Sequence, residues 1–220
     1  MLSREEAGAG LLGELEQFGQ LVGSLSEEQL ALRTRCDEWT VGDIAAHFIG
    51  DMADIMALRF DRVGTPEGAK DIVDERRGRT PAELAEEMQG VHKAAVDFVA
   101  GIDDATWNAP GPTDLVPTLG FGINLLWFDG YVHDEDIRAA VGAAPVRGPG
   151  LRVAVHYLAE ELGNRGWGPA TLALDGQDEL NVGDGGQRIE GDALDFVLVA
   201  TGRADPGLFG LDETVNIYRA

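Results

Sequence analysis

Thr40-Val41-Gly42-Asp43-Ile44-Ala45-Ala46-His47-Phe48-Ile49-Gly50-Asp51-Met52-Ala53-Asp54-Ile55 carries the pattern on which the fold turns. Thr40 followed three residues later by Asp43 is a capping box, and Trp39 and Ile44 stand where a hydrophobic staple closes over a helix start. Ile44, Phe48 and Ile55 return at helical spacing. The predicted helix runs from Thr40 to about Phe60. His47 and Asp51 fall on the same apolar stripe, where the pattern calls for hydrophobic side chains.

Three further segments share this periodicity. Before it, Ser3 and Glu6 make a capping box ahead of Leu11, Leu15, Phe18, Val22 and Leu25. After it, Thr80-Pro81-Ala82-Glu83 places proline at the first helical position, and Leu84, Met88, Val91, Ala95, Phe98 and Ile102 repeat up to the Gly101 region. The fourth segment, Gly120 to Val141, sets Leu126, Gly130, His133 and Ile137 on one face. Four amphipathic helices without strand signals between them predict a four-helix bundle over residues 1–142. The polar 61–79 connection, with Arg76, Arg77 and Arg79, reads as a crossover or a rim segment.

Residues 143–150, rich in glycine and proline, read as a linker, and the grammar then changes. Leu151 to Leu162 reads as a helix. Thr171–Asp175 and Glu179–Val182 alternate as strands around a Gly176-Gln177 turn, and Gln187–Glu190 reads as a further short strand. A helix from Asp192 to Thr201 ends at Gly202. Residues 151–220 are thus a small α+β domain, and the whole chain is of the α+β class.

Composition excludes several functions. Seventeen basic against thirty-nine acidic residues leave a net charge of −22; residues 1–150 carry 12 basic and 27 acidic side chains, the rest 5 and 12. Neither part offers a basic footprint for nucleic acid or anionic lipid. No stretch approaches the roughly 20 apolar residues of a membrane span, and the N-terminus turns acidic at once, unlike a signal peptide. The single cysteine, Cys36, permits no internal disulfide and suits a reducing compartment, so the expected location is the cytoplasm. Phosphate loops, dinucleotide fingerprints and nucleophile elbows are absent from the sequence.

Chemistry therefore concentrates on four histidines. His47 can be a core histidine hydrogen-bonded to Asp51, four residues on. Asp129 and His133, also four apart, can be an ion pair worth about 0.3–0.5 kcal/mol. Their helix nevertheless turns that face inward, where unpaired charge is costly. A metal held by His47, Asp129 and His133 removes the cost at all three, in the way helical bundles build metal sites. Three protein ligands leave a position open for water or substrate, the mark of a catalytic site. His92 and His156 read as packing or surface residues, and Cys36 as a small packed side chain rather than a nucleophile.

The run Arg35-Cys36-Asp37-Glu38-Trp39-Thr40-Val41-Gly42-Asp43-Ile44-Ala45-Ala46-His47 resembles the Cys-x-x-Trp signature of actinobacterial DinB-like proteins, among them the mycothiol-dependent maleylpyruvate isomerases. Asp129-Gly130-Tyr131-Val132-His133-Asp134-Glu135-Asp136-Ile137 is similar to their second signature, and Gly202-Arg203 to the ending of their small C-terminal domain. Fifteen arginines against two lysines fit the GC-rich coding of such organisms. The resemblance spans essentially the whole chain. It implies a DinB-like four-helix bundle holding one divalent metal, with His47 and His133 at the histidine ligand positions. Asp129 stands where the isomerase has a glutamate. Zinc is the favoured ion, with iron, nickel or manganese as alternatives. The resemblance also makes Arg203 a candidate to capture a substrate carboxylate. The run Asp134-Glu135-Asp136 reads by itself most simply as solvated charge, with Asp136 supporting His133 from behind as the alternative.

The implied partners are a small-molecule substrate and a low-molecular-weight thiol, mycothiol, acting on a monomer or homodimer. A free thiol titrates near about 8.5, and a metal holds it deprotonated. Sulfur added to an electrophile can leave again, giving isomerisation, or stay, giving S-transfer. The same three ligands could instead activate water in a hydrolase or lyase. The bundle could also bind a small ligand without turnover, since a fold does not fix a function.

Overall fold

The structure, a computed structural model, describes residues 1–36, 39–113 and 116–219. Its helices in chain order are α1 (Arg4–Gly23), α2 (Glu27–Leu30), α3 (Val41–Met56), α4 (Pro66–Arg76), α5 (Pro81–Ala100), α6 (Asp104–Trp107), α7 (Leu119–Val141), α8 (Pro149–Asn164) and α9 (Ala193–Ala200). The strands are β1 (Ala170–Leu174), β2 (Leu180–Val182) and β3 (Gln187–Gly191). The fold is α+β, as the sequence predicts. The chain divides into two compact units, residues 3–145 and residues 146–219 with Met1 and Leu2.

In the first unit α1 and α3 each pack against both α5 and α7, which closes the four long helices into a bundle. The capping boxes at Ser3, Thr40 and Thr80 are all formed, and each satisfies amide donors that the first turn leaves over. Phe18 of α1 and Phe48 of α3 meet in the core with ring centroids 4.7 Å apart, both fully buried. Gly130 of α7 admits that ring: a Cβ there would lie 2.6 Å from Phe48 Cζ. A glycine on the inward face of α7 thus lets the helix approach α3 closely, in the stretch that carries Asp129 and His133.

Two local features depart from the periodicity. The helix expected to reach Phe60 ends at Met56, because the Arg59 amide takes the Asp54 carbonyl at 2.8 Å and Leu58 turns to a left-handed φ of 57°. The buried Asp54 carboxylate then accepts from Arg59 and Arg62 and fastens the returning chain. Within the 61–79 connection lies α4, capped by Thr65 with Pro66 at its first position and packed on α3 through buried Ile72 and Val73.

In the second unit the sheet order is β2-β1-β3, with β2 antiparallel and β3 parallel to β1. The link from β2 to β3 passes the start of β1, where a Cβ on Gly186 would meet the Pro169 carbonyl oxygen at 2.6 Å; only glycine fits. Helix α8 packs against α9 and β2. Its first turn takes up the last two residues of the expected linker, since Pro149 stands at the first helical position.

Candidate metal centre

Facing helices α3 and α7 bring three side chains together. His47 enters from α3, and Asp129 and His133 from one face of α7. One ligand atom from each lies within 4.8 Å of the other two. Asp129 Oδ1 stands 3.5 Å from His133 Nε2, and the two imidazoles meet edge-on with centroids 5.4 Å apart. Ligands bonded at about 2 Å in a tetrahedral set lie roughly 3.3 Å from one another, so these groups could hold a divalent ion by drawing closer around it. Asp129 reaches the cluster despite being one methylene shorter than glutamate. Its side chain is 25% exposed against 13% for His47 and 9% for His133, so the cluster opens on the Asp129 side.

Hydrogen bonding does not account for His47. Its Nε2 is 3.6 Å from Asp51 Oδ2, beyond a good hydrogen bond, while His47 Nδ1 and Asp51 Oδ1 are buried with no partner. A core histidine satisfied by its i+4 aspartate, the alternative open from the sequence, is therefore not what forms. Buried orphaned polar atoms cost free energy unless a ligand completes them. Trp39 stacks edge-on against the His47 ring at 4.8 Å and holds its plane, a contact the sequence suggested only as a staple.

The charges are poised for a cation. His47 is pushed down to about 4 by burial and then by the neighbouring His133 charge, so it is neutral and offers a lone pair. Burial would also lower His133, but Asp129 and the hydrogen bonds to Asp136 and Cys36 outweigh it and raise this imidazole to about 10. Asp51 is pushed up to about 7, by burial first and by Asp129 second. Without a metal, the His133 proton balances the surrounding carboxylates. A divalent ion held here would replace that proton, the usual linkage of metal binding to proton release.

Cys36 differs from expectation. Rather than packing as a small hydrophobe, its thiol donates to Asp136 Oδ2 at 3.0 Å, in a second group of converging donors with His133 and Asp136. The physical reason is the loop ahead of α3, which delivers Cys36 to a carboxylate a hundred residues away. His92 and His156 join neither group among the described residues. Arg203 lies in the other unit, where Nη1 donates to the Thr201 carbonyl at 3.2 Å and the guanidinium stands 5.9 Å from the centre of the Tyr218 ring.

The profile described as the mycothiol maleylpyruvate isomerase N-terminal domain matches residues 11–138. The chain belongs to that family. The match includes all three converging residues and ends before Arg203. Asp37 and Glu38 of the family signature lie outside the described residues. Among solved structures, a mycothiol-dependent maleylpyruvate isomerase aligns at a TM-score of 0.68 and 16% identity, covering 96% of each chain. A histidine-to-alanine mutant of such an isomerase aligns at 0.64 and 15%, again over 96% of each. At these identities the likeness is one of fold. No curated protein matches the chain. No described helix is long and apolar enough to cross a membrane.

Proposed function

We propose that this chain is a metal-dependent enzyme that uses mycothiol to isomerise a small, carboxylate-bearing electrophile. The observation that carries the reading is the convergence of one ligand atom each from His47, Asp129 and His133, on a His47 ring whose Nδ1 is buried without a partner, in a member of this family. Zinc is the ion we assign to this nitrogen- and oxygen-donor set. Held there, a divalent ion lowers the pKa of a bound thiol and so supplies a nucleophilic sulfur at neutral pH.

The protein's own groups do the rest. His47, already neutral, offers its lone pair, and His133 gives up its proton to do the same. Asp129, the most open of the three, sits at the mouth where thiol and substrate arrive. We assign the nucleophilic sulfur to mycothiol rather than to Cys36, whose thiol is held by Asp136 behind His133. We assign to Arg203 the capture of a substrate carboxylate, which a guanidinium binds through paired N–H donors. The low-molecular-weight thiol and the lone cysteine suit a reducing cytoplasm.

Maleylpyruvate, named for the structural relatives, is the first substrate to assay. Zinc-loaded protein should isomerise it only when mycothiol is present. Arg203→Met should lower kcat/KM by about a hundredfold, the order of one lost charge-assisted bidentate contact, while zinc content stays unchanged. Turnover without thiol contradicts the function, and full activity in Arg203→Met contradicts the role of that arginine.

A further inference from the structure

Asp136 is fully buried on α7, one turn beyond His133. Its Oδ2 lies 3.3 Å from His133 Nδ1 and 3.0 Å from Cys36 Sγ, and its Oδ1 accepts from Arg35 Nε at 2.7 Å. Arg35 and Cys36 sit on the loop between α2 and α3. The described residues of that loop are tied at several points. Arg33 and Thr40 form an antiparallel bridge, the Val41 amide donates to the Leu32 carbonyl at 2.9 Å, and Thr34 Oγ1 donates to the Trp39 carbonyl at 3.0 Å. The base of the loop is Thr40, the N-cap of the helix that carries His47. One short segment therefore starts the His47 helix and grips the carboxylate behind His133.

The geometry points to Arg35 and Cys36 as positioning residues of the metal centre, acting on His133 through Asp136. The inference rests on the reading of His47, Asp129 and His133 as metal ligands. A buried carboxylate needs a cationic partner, and Arg35 supplies it. With Oδ1 held by the guanidinium and Oδ2 shared by the thiol, the carboxylate has one orientation and takes the His133 Nδ1–H. The ring is then fixed with Nε2 turned toward Asp129, the arrangement in which a carboxylate behind a ligand histidine sets its tautomer and basicity. Loss of such a partner costs roughly 10–100-fold in metal affinity.

The test is zinc affinity, measured by competition with a chromophoric chelator, without thiol or substrate. Arg35→Met should bind zinc at least tenfold more weakly, and Arg35→Lys should recover most of the loss. Asp136→Asn should also weaken binding at least tenfold. The Arg35→Met/Asp136→Asn double variant should be no weaker than Asp136→Asn alone, since Arg35 acts only through that carboxylate. Cys36→Ala, the mildest change, should lose severalfold in the wild-type background and nothing in the Asp136→Asn background; this pair carries the test should Arg35→Met fail to fold. Wild-type affinity in Arg35→Met, or losses that multiply in the double variant, overturns the proposal alone. A wild-type chain that takes up no zinc overturns the functional reading and this proposal with it.

Discussion

His133→Ala should leave the protein almost without metal, a fall in affinity of more than a hundredfold. Loss of a hydrogen-bonding partner behind a ligand costs about 10–100-fold, and a ligand itself exceeds that. Two consequences of the substitution add together. The set is reduced to His47 and Asp129, and Asp136 Oδ2 loses the imidazole that faces it at 3.3 Å. His47→Ala should act similarly from α3, with the same collapse of thiol-dependent turnover. Asp129→Glu is the informative control and should retain metal, because the cluster is open on that side. Metal content by elemental analysis of the purified variants checks all three. Full occupancy in the His47→Ala/His133→Ala double variant contradicts the assigned ligands.

Glu14→Gln should make the protein more stable at alkaline pH and flatten its pH dependence. Glu14 lies on the inner face of α1, 6% exposed, and its carboxyl is pushed up to about 8. Burial is the main cause; the Asp134 charge adds to it, and the Trp127 hydrogen bond opposes it. In the unfolded chain the same group titrates near 4.5. The folded state thus holds one more proton between these values, so stability is complete below pH 4.5 and is lost as pH rises through 8. The difference corresponds to a contribution on the order of 5 kcal/mol. The amide keeps the shape of the protonated acid and carries no charge to release. Urea unfolding at pH 6 and pH 9 should show a drop for the wild type about 3 kcal/mol larger than for Glu14→Gln. Parallel losses in the two proteins contradict the assignment.

Helix faces were legible because helical periodicity is local. Ile44, Phe48, His47 and Asp51 on one stripe, and Asp129 with His133 on another, sufficed to aim the same groups inward from two helices. The capping boxes at Ser3 and Thr40 were equally plain, as was Pro81 at the first position of α5. Helix α4 was not, since Ile72 and Val73 are its only buried hydrophobic side chains, the other buried positions being Gly68 and Arg76, and two adjacent apolar residues set no period; Thr65-Pro66 was the signal that could have found it. The early end of α3 depends on Asp54 recruiting Arg59 and Arg62, which no periodicity announces. Arg35 and Cys36 were hidden for a different reason. Their partner lies about a hundred residues onward, and only the closed bundle brings the loop to it.

A metal in this bundle with a position open to a thiol would be reported most directly by cobalt. A divalent ion favours thiolate over thiol, so mycothiol binding should release a proton and strengthen as pH rises toward the free thiol's pKa. Adding mycothiol to the cobalt-substituted protein should produce a sulfur-to-cobalt charge-transfer band, present also in Cys36→Ser and absent in the His47→Ala/His133→Ala variant. A cobalt spectrum that no thiol alters, together with a bound water titrating near about pH 7, contradicts the thiol account and assigns the site to hydrolysis.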